Sequence, residues 1–371
     1  MKTSKLLSIF CLLLISPLLL AQDYLVYVTS GSGAASTVKT FASDGTFTGD
    51  FFVPGTGGSN WPQDIIFLEN IDKAIVSGLN NGAIGSYEKN TGDYIEDFAS
   101  IPLGPTRMKI GPDGLIYVLQ WNGNGKVLRY QTDGTFIDEF TSIGINGAIG
   151  LDWDNTGNLY ISSYTANTIR KFDSSGNDLG VYITGLQGPT NCWFDPVVNG
   201  DMLVSNWNGN NIKRYDSSGN FVSDFVASIT QPEGVVYLPN GNLLVGSGGA
   251  VDDILEFQAD GTMVGVFASG NSLANPNAIV LRDVPLSVSE NQVNTFFVTP
   301  TIGDLFNLNT EVTSNYKTLE IFDVHGKHLE TIVLTNVNNI WDASRYNEGL
   351  YFIVALDNGK SAVQKIIISK R

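Results

Sequence analysis

From Tyr24 to Asp283 the chain alternates apolar and polar positions in short bursts. A period of two belongs to half-buried strands, whereas an amphipathic helix repeats about every 3.6 residues. The bursts keep a fixed order. A first run recurs as Tyr24–Val28, Lys73–Val76, Leu115–Val118, Leu159–Ser162, Met202–Ser205 and Leu243–Gly246. A second follows after a loop, as in Lys126–Tyr130, Thr168–Phe172, Ile212–Tyr215 and Ile254–Phe257. Next comes a glycine turn, such as Ser43-Asp-Gly45, Asn90-Thr-Gly92, Thr132-Asp-Gly134, Ser174-Ser-Gly176, Ser217-Ser-Gly219 or Ala259-Asp-Gly261. Gly supplies the positive φ that a tight hairpin requires. A third run such as Phe136–Phe140 or Phe221–Phe225 then leads through a Gly/Pro loop to a fourth, such as Gly150–Trp153 or Gly234–Tyr237.

Four antiparallel strands recurring about every 40 to 47 residues predict the blades of a propeller. The ends of the array carry information too. The first unit begins without its fourth-type strand, and one spare copy stands at Asn277–Leu281. Taken as an innermost strand, it would join the runs near Tyr24, Val38 and Phe47 and remove the exposed edges of an open array. The expected fold class is therefore all-β: a six-bladed β-propeller over residues 22–283, followed by a small β-sandwich-like C-terminal domain. The units resemble NHL-repeat propellers, in which Pro-x-Gly and an apolar strand precede Gly-Asn and a second apolar strand. Pro232-Glu-Gly-Val-Val-Tyr237 through Pro239-Asn-Gly-Asn-Leu-Leu-Val245 carries that match, and it is the one unit with Pro-x-Gly intact. The resemblance speaks to fold rather than to function.

After Asp283 the repeat stops, and residues 284–371 read as a linker, Val284-Pro-Leu-Ser-Val-Ser-Glu290, and a separate domain. Three motifs follow in order: Leu319-Glu-Ile-Phe-Asp-Val-His-Gly-Lys327, Asn347-Glu-Gly-Leu-Tyr-Phe-Ile-Val354 and the terminal Lys365-Ile-Ile-Ile-Ser-Lys-Arg371. They resemble the type A sorting domain of type IX secretion substrates. Where that family opens on Asn-Pro, this chain has Val298-Thr-Pro-Thr301. The resemblance implies the type IX machinery as a partner, and a secreted or outer-membrane cell-surface location. At the other end, Lys2 and Lys5 precede an apolar stretch from Leu6 to Leu20 that closes on Ala21. Residues 1–21 thus read as a signal peptide cut after Ala21. No later stretch is long and apolar enough for a membrane helix, so no transmembrane segment is expected in the mature chain.

Charge narrows the partners. With 21 Lys and Arg against 37 Asp and Glu, the formal net charge is -16, which repels phosphate backbones. Nucleic acid is not an expected partner. Once Cys11 leaves with the signal peptide, Cys192 stands alone, so the mature chain has no internal disulfide. It sits in the strand-like run Asn191-Cys-Trp-Phe194 and reads as a buried structural thiol. The glycine turns carry at most one or two carboxylates each, too few for Ca²⁺. His325 and His328 flank a turn of the C-terminal domain, leaving the propeller without the usual neutral-pH base. Neither a complete phosphate-cradling Gly-x-x-x-x-Gly-Lys-Ser/Thr loop nor a Gly-x-Ser-x-Gly elbow is present, since Gly359-Lys360-Ser361 has Val354 where the first glycine would stand. No catalytic residue and no cofactor are assigned.

The loops between the first and second runs place aromatics among amides: Gln120-Trp-Asn-Gly-Asn124, Ser163-Tyr-Thr-Ala-Asn167 and Asn206-Trp-Asn-Gly-Asn-Asn211. Such surfaces suit sugars by stacking and hydrogen bonding. The candidate ligand residues there are Trp121, Asn122, Tyr164, Asn167, Asn206, Trp207 and Asn208; the competing reading makes Trp121, Tyr164 and Trp207 inter-blade packing. On the same face, the positions after the starting proline of the inner strands, Gln63, Thr106, Thr190, Glu233 and Asn277, should ring a polar channel mouth. Of these Gln63, Glu233 and Asn277 join the candidate set. The expected role is a binding module for carbohydrate or another surface protein. The alternative, from a distant resemblance to gluconolactonase and regucalcin propellers, is a metal-dependent lactonase-like hydrolase centred on Glu233, Asn277 and Gln63.

Overall fold

The computed structural model describes residues 24–31, 36–99, 103–198, 200–249, 252–283, 297–309, 316, 318–334, 340–357 and 360–370. The expected signal peptide and the linker after Asp283 lie outside the described residues. The chain divides after Pro285 into two compact units, and among the described residues no helix is long and apolar enough to cross a membrane.

In the first unit six four-stranded antiparallel sheets follow one another. Blade two runs outward from an innermost strand at Pro62–Leu68 through Lys73–Gly78 and Ile84–Glu88 to Tyr94–Ala99. Blades three to six repeat that order from inner strands at Pro105–Ile110, Ala148–Trp153, Pro189–Phe194 and Pro232–Tyr237. Blade one is made from both ends of the unit: Ile279–Asp283 lies innermost and pairs with Tyr24–Ser30, which pairs with Thr37–Ala42 and then Phe47–Asp50. Tyr24 stands opposite Asp283, Val26 opposite Leu281 and Val28 opposite Ile279. The Thr29 N–H donates to the Ala278 carbonyl (3.1 Å), and the Ala278 N–H donates to Thr29 Oγ1 (2.8 Å). The ring is closed as expected, with six blades.

Alternation along each strand sends one set of side chains between blades. Val26, Val28, Phe41, Leu244, Ile254 and Ile279 form a single buried cluster joining blade six to blade one. Full burial of each such side chain contributes about 1.5–3 kcal/mol, so closure is hydrophobic as well as hydrogen-bonded. Cys192 is buried in the equivalent cluster between blades four and five, and burial pushes its thiol pKa up.

The inner strands begin irregularly, in the same way each time. Register shifts occur at Pro62/Asp64, Pro105/Met108, Ala148/Gly150, Pro189/Asn191 and Pro232/Val235. The residue just before each start has positive φ: Trp61, Gly104, Gly147, Gly188, Gln231 and, before Pro276, Asn275. At four of the five shifted starts the first residue is proline, which lacks the N–H that would extend the ladder, and the bulge accommodates its loss; at Ala148 the bulge recurs without a proline.

The second unit packs a five-stranded and a three-stranded sheet around Phe297, Phe306, Leu319, Ile321, Trp341, Ile353 and Ile366. Phe306 and Trp341 stack with ring centroids 5.3 Å apart. His325 is exposed in a turn, and His328 Nε2 lies 2.6 Å from Glu320 Oε2.

Replacing Ile279 by Asp puts a carboxylate into the closing cluster. Urea titration is expected to show a loss of more than about 3 kcal/mol or outright unfolding. V266D, on the exposed outermost strand of blade six, is expected to stay within about 0.5 kcal/mol of the parent.

Candidate functional site

The upper face of the propeller carries the starts of the inner strands and the loops after each second strand; the hairpins lie on the lower face. Along the axis, alternate inner-strand residues turn inward in two tiers. The deeper tier holds Asp64, Arg107 and Asn191, with Gly150, Gly234 and Ala278 contributing little bulk; the tier below it holds Ile66, Lys109, Asp152, Trp193, Val236 and Val280. All six inner strands line a cavity of about 1360 Å³ that opens among lower-face residues such as Glu69, Asp72, Lys89 and Arg282.

Above that cavity the axis is filled. Gln63, Thr106, Thr190, Glu233 and Asn277 are all buried, with Gln63 at 2 % exposure and Glu233 at 4 %. They form a buried polar layer, in which Thr106, Thr190 and Asn277 fold back against the neighbouring blade. Thr106 Oγ1 donates to the Ala148 carbonyl (2.8 Å), Thr190 Oγ1 to that of Pro232 (2.6 Å) and Asn277 Nδ2 to that of Pro62 (2.9 Å). Three inter-blade junctions are thereby tied by a side chain reaching the next blade's first carbonyl.

Arg107 organises the rest. Its Nη1 donates to the Gln63 carbonyl (3.2 Å) and its Nη2 to the Asn277 carbonyl (3.0 Å), while Nη2 stands 3.8 Å from Glu233 Oε1 and Nε 4.0 Å from Asp64 Oδ2. One guanidinium from blade three thus engages blades two, one and six. Asp64 accepts from the Ile65 and Met108 N–H groups, both at 2.9 Å, bridging blades two and three. Sequence reading named neither Asp64 nor Arg107. Strict alternation makes neighbours face opposite ways, but the bulge lets both Gln63 and Asp64 be buried near the axis; the residue after each Pro-x pair was the signal available.

Burial pushes the Glu233 carboxyl up to about 8, with nearby Asp64 adding to the rise and Arg107 opposing it. Burial likewise raises Asp64, against the pull of Arg107 and its backbone donors. Glu233 Oε1, Gln63 Oε1 and Arg107 Nε have no hydrogen-bond partner among the described residues. The set fits a divalent cation poorly. The Gln63 and Asn277 carbonyls already accept from a resident positive charge, and a metal ion would lie against that same guanidinium.

On the upper face, the first N–H after a second strand returns to the carbonyl that precedes an inner strand: Trp121 to Gly104, Tyr164 to Gly147 and Trp207 to Gly188, each 2.9 Å. This bond sets the aromatic at the loop's start. Trp121 and Tyr164 meet across blades three and four with ring centroids 5.6 Å apart, and Asn208 of blade five donates through Nδ2 to Tyr164 Oη (3.2 Å). Tyr164 leans on Gly188 and Trp207 on Gly248, where a Cβ would fall 2.9 and 2.7 Å from the rings. Trp121, Tyr164 and Trp207 remain half-exposed, and Asn122 and Asn208 are exposed. Two amides bond the loops: exposed Asn167 accepts through Oδ1 from the Gly188 N–H (2.7 Å), and buried Asn206 accepts from the Gln187 N–H (3.1 Å).

Residues 300–369 match the family described as the secretion system C-terminal sorting domain. The chain ends in a sorting domain. That domain directs type IX secretion to the cell surface or extracellular space. No curated protein matches the chain by sequence. Among solved structures, the chain is similar to one of a nidogen/laminin complex, with TM-score 0.57 and 12 % identity over 70 % of this chain and 98 % of that one. A protein of unknown function from Bacteroides caccae gives 0.55 and 15 % over 70 % and 98 %. Virginiamycin B lyase from Staphylococcus aureus gives 0.50 and 17 % over 69 % and 88 %. At such identities the likeness shows the fold.

The raised Glu233 pKa makes the folded state hold a proton that the unfolded chain releases from about pH 4.5 upward. Its stabilising effect is full below that pH and is lost as pH rises through about 8. Compared with Glu233→Gln by denaturant titration across this window, the parent is expected to lose stability by up to about 1.4 kcal/mol per pH unit more.

Proposed function

We propose that the exported propeller is a binding module that holds carbohydrate on its upper face, against Trp121, Tyr164 and Trp207. The observation carrying this reading is the run of half-exposed rings over three consecutive blades, with the Asn122 and Asn208 amides beside them. A pyranose presents C–H faces to aromatic rings and hydroxyls to amides, so one surface of this kind serves both. The backbone bond at the start of each loop and the packing on Gly188 and Gly248 keep the rings preorganised, which lowers the entropic cost of binding. Packing and binding are therefore compatible uses of the same rings.

Gln63, Glu233 and Asn277 serve the axis in this reading rather than the ligand. The hydrolase alternative centred on them is disfavoured by Arg107, whose guanidinium donates to the Gln63 and Asn277 carbonyls and stands 3.8 Å from Glu233 Oε1.

In a glycan array and in pull-down from cell-surface extracts, W121A combined with W207A is expected to weaken binding at least about tenfold. Circular dichroism should match the parent. Unchanged binding by a folded double variant would remove the basis of the carbohydrate reading.

A further inference from the structure

The lower cavity is lined by all six inner strands, and the upper-face reading makes no use of it. It is blind, since the layer around Arg107 closes its inner end, so a ligand enters by one end only. Its wall is divided by blade. Val236, Val280 and Ile66 give three consecutive blades, six, one and two, an apolar surface. Across the axis, blades three and four present Lys109 and Asp152, whose Nζ and Oδ1 lie 2.6 Å apart.

Along the axis the charges pair one to one, Lys109 with Asp152 and Arg107 with Asp64, because burial keeps Glu233 protonated up to about pH 8. Asp152 also accepts from the Trp153 and Phe194 N–H groups (both 2.9 Å), and Arg107 faces Asp64 and Glu233. A free ion would give up its hydration here without gaining an uncompensated counter-charge. Hydrogen-bonding capacity nevertheless remains. The Lys109 side chain is 45 % exposed, and an ammonium has three N–H donors, of which the Asp152 contact takes one. The remaining donors and the carboxylate lone pairs suit neutral hydroxyls, while the opposite wall suits C–H groups.

We infer that the lower cavity is a second binding site, which receives the terminal unit of a neutral saccharide with its C–H face on Ile66, Val236 and Val280 and its hydroxyls on Lys109 and Asp152. Its volume exceeds the roughly 300–1,000 Å³ usual for small-molecule pockets, enough for more than one sugar ring. The site is independent of Trp121, Tyr164 and Trp207.

The test is isothermal titration of the full chain with glucose, galactose, mannose, N-acetylglucosamine and cellobiose, beside acetate and octanoate as anionic and aliphatic controls. At least one neutral sugar is expected to bind saturably, with Kd about millimolar or tighter. Lys109→Met, which leaves Asp152 its two backbone donors, should weaken that binding at least about tenfold, and Val236→Trp should weaken it by crowding the apolar wall. W121A with W207A should change it by less than about twofold, which separates this site from the upper face. The inference is overturned if no sugar titrates up to roughly 50 mM, if binding follows the upper-face variant instead, or if only acetate or octanoate binds. It is also overturned if sugar binding survives unchanged in a folded Lys109→Met protein, so the result does not hang on Val236→Trp folding.

Discussion

The pairing of Ile279–Asp283 with Tyr24–Ser30 is the contact on which the propeller depends. It turns a row of five hairpin-linked sheets into a ring and seals the apolar cluster between blades six and one. It also draws the inner strands to a common axis, close enough for one arginine to reach three neighbouring blades. Without the ring, Arg107 has no Asn277 carbonyl to bond and no Glu233 beside it.

The buried layer is costly and specific at once. Arg107 shares a low-dielectric environment with two carboxyls, and the arrangement leaves some acceptors unmet among the described residues. Such layers contribute little net stability but penalise any packing in which their partners are misplaced. In a toroid of six similar sheets, sliding one blade against the next is the natural error. The threonine and asparagine links to neighbouring carbonyls oppose it at three of the junctions. The layer also separates two surfaces of different character, one of amides and aromatic rings, the other a divided cavity.

Much of the fold was legible because short-range chemistry repeats. Alternation in Leu159–Ser162 and Thr168–Phe172, glycine at Gly134 or Gly176, and the spare strand at Asn277–Leu281 each carry their meaning locally, as do the three motifs of the sorting domain. The site was less legible. Asp64 and Arg107 went unmarked because a bulge breaks the period of two where the strands begin, and the partner of Arg107 in sequence terms is distant Asn277. Gln63, Glu233 and Asn277 stand at the upper ends of inner strands, and their burial depends on how six strands converge. Asn167 and Asn206 illustrate the same limit, since an amide beside an aromatic can face a ligand or its own loop, and only the loop geometry chooses.

Ring closure also sets a timetable. Thr29 and Ala278, which exchange hydrogen bonds across the closing sheet, lie 249 positions apart in sequence. While the chain is being made, the strand at Tyr24–Ser30 waits with one edge unpaired until nearly the whole propeller has followed it. High contact order makes such closure slow, so the ring is completed only when its last inner strand arrives.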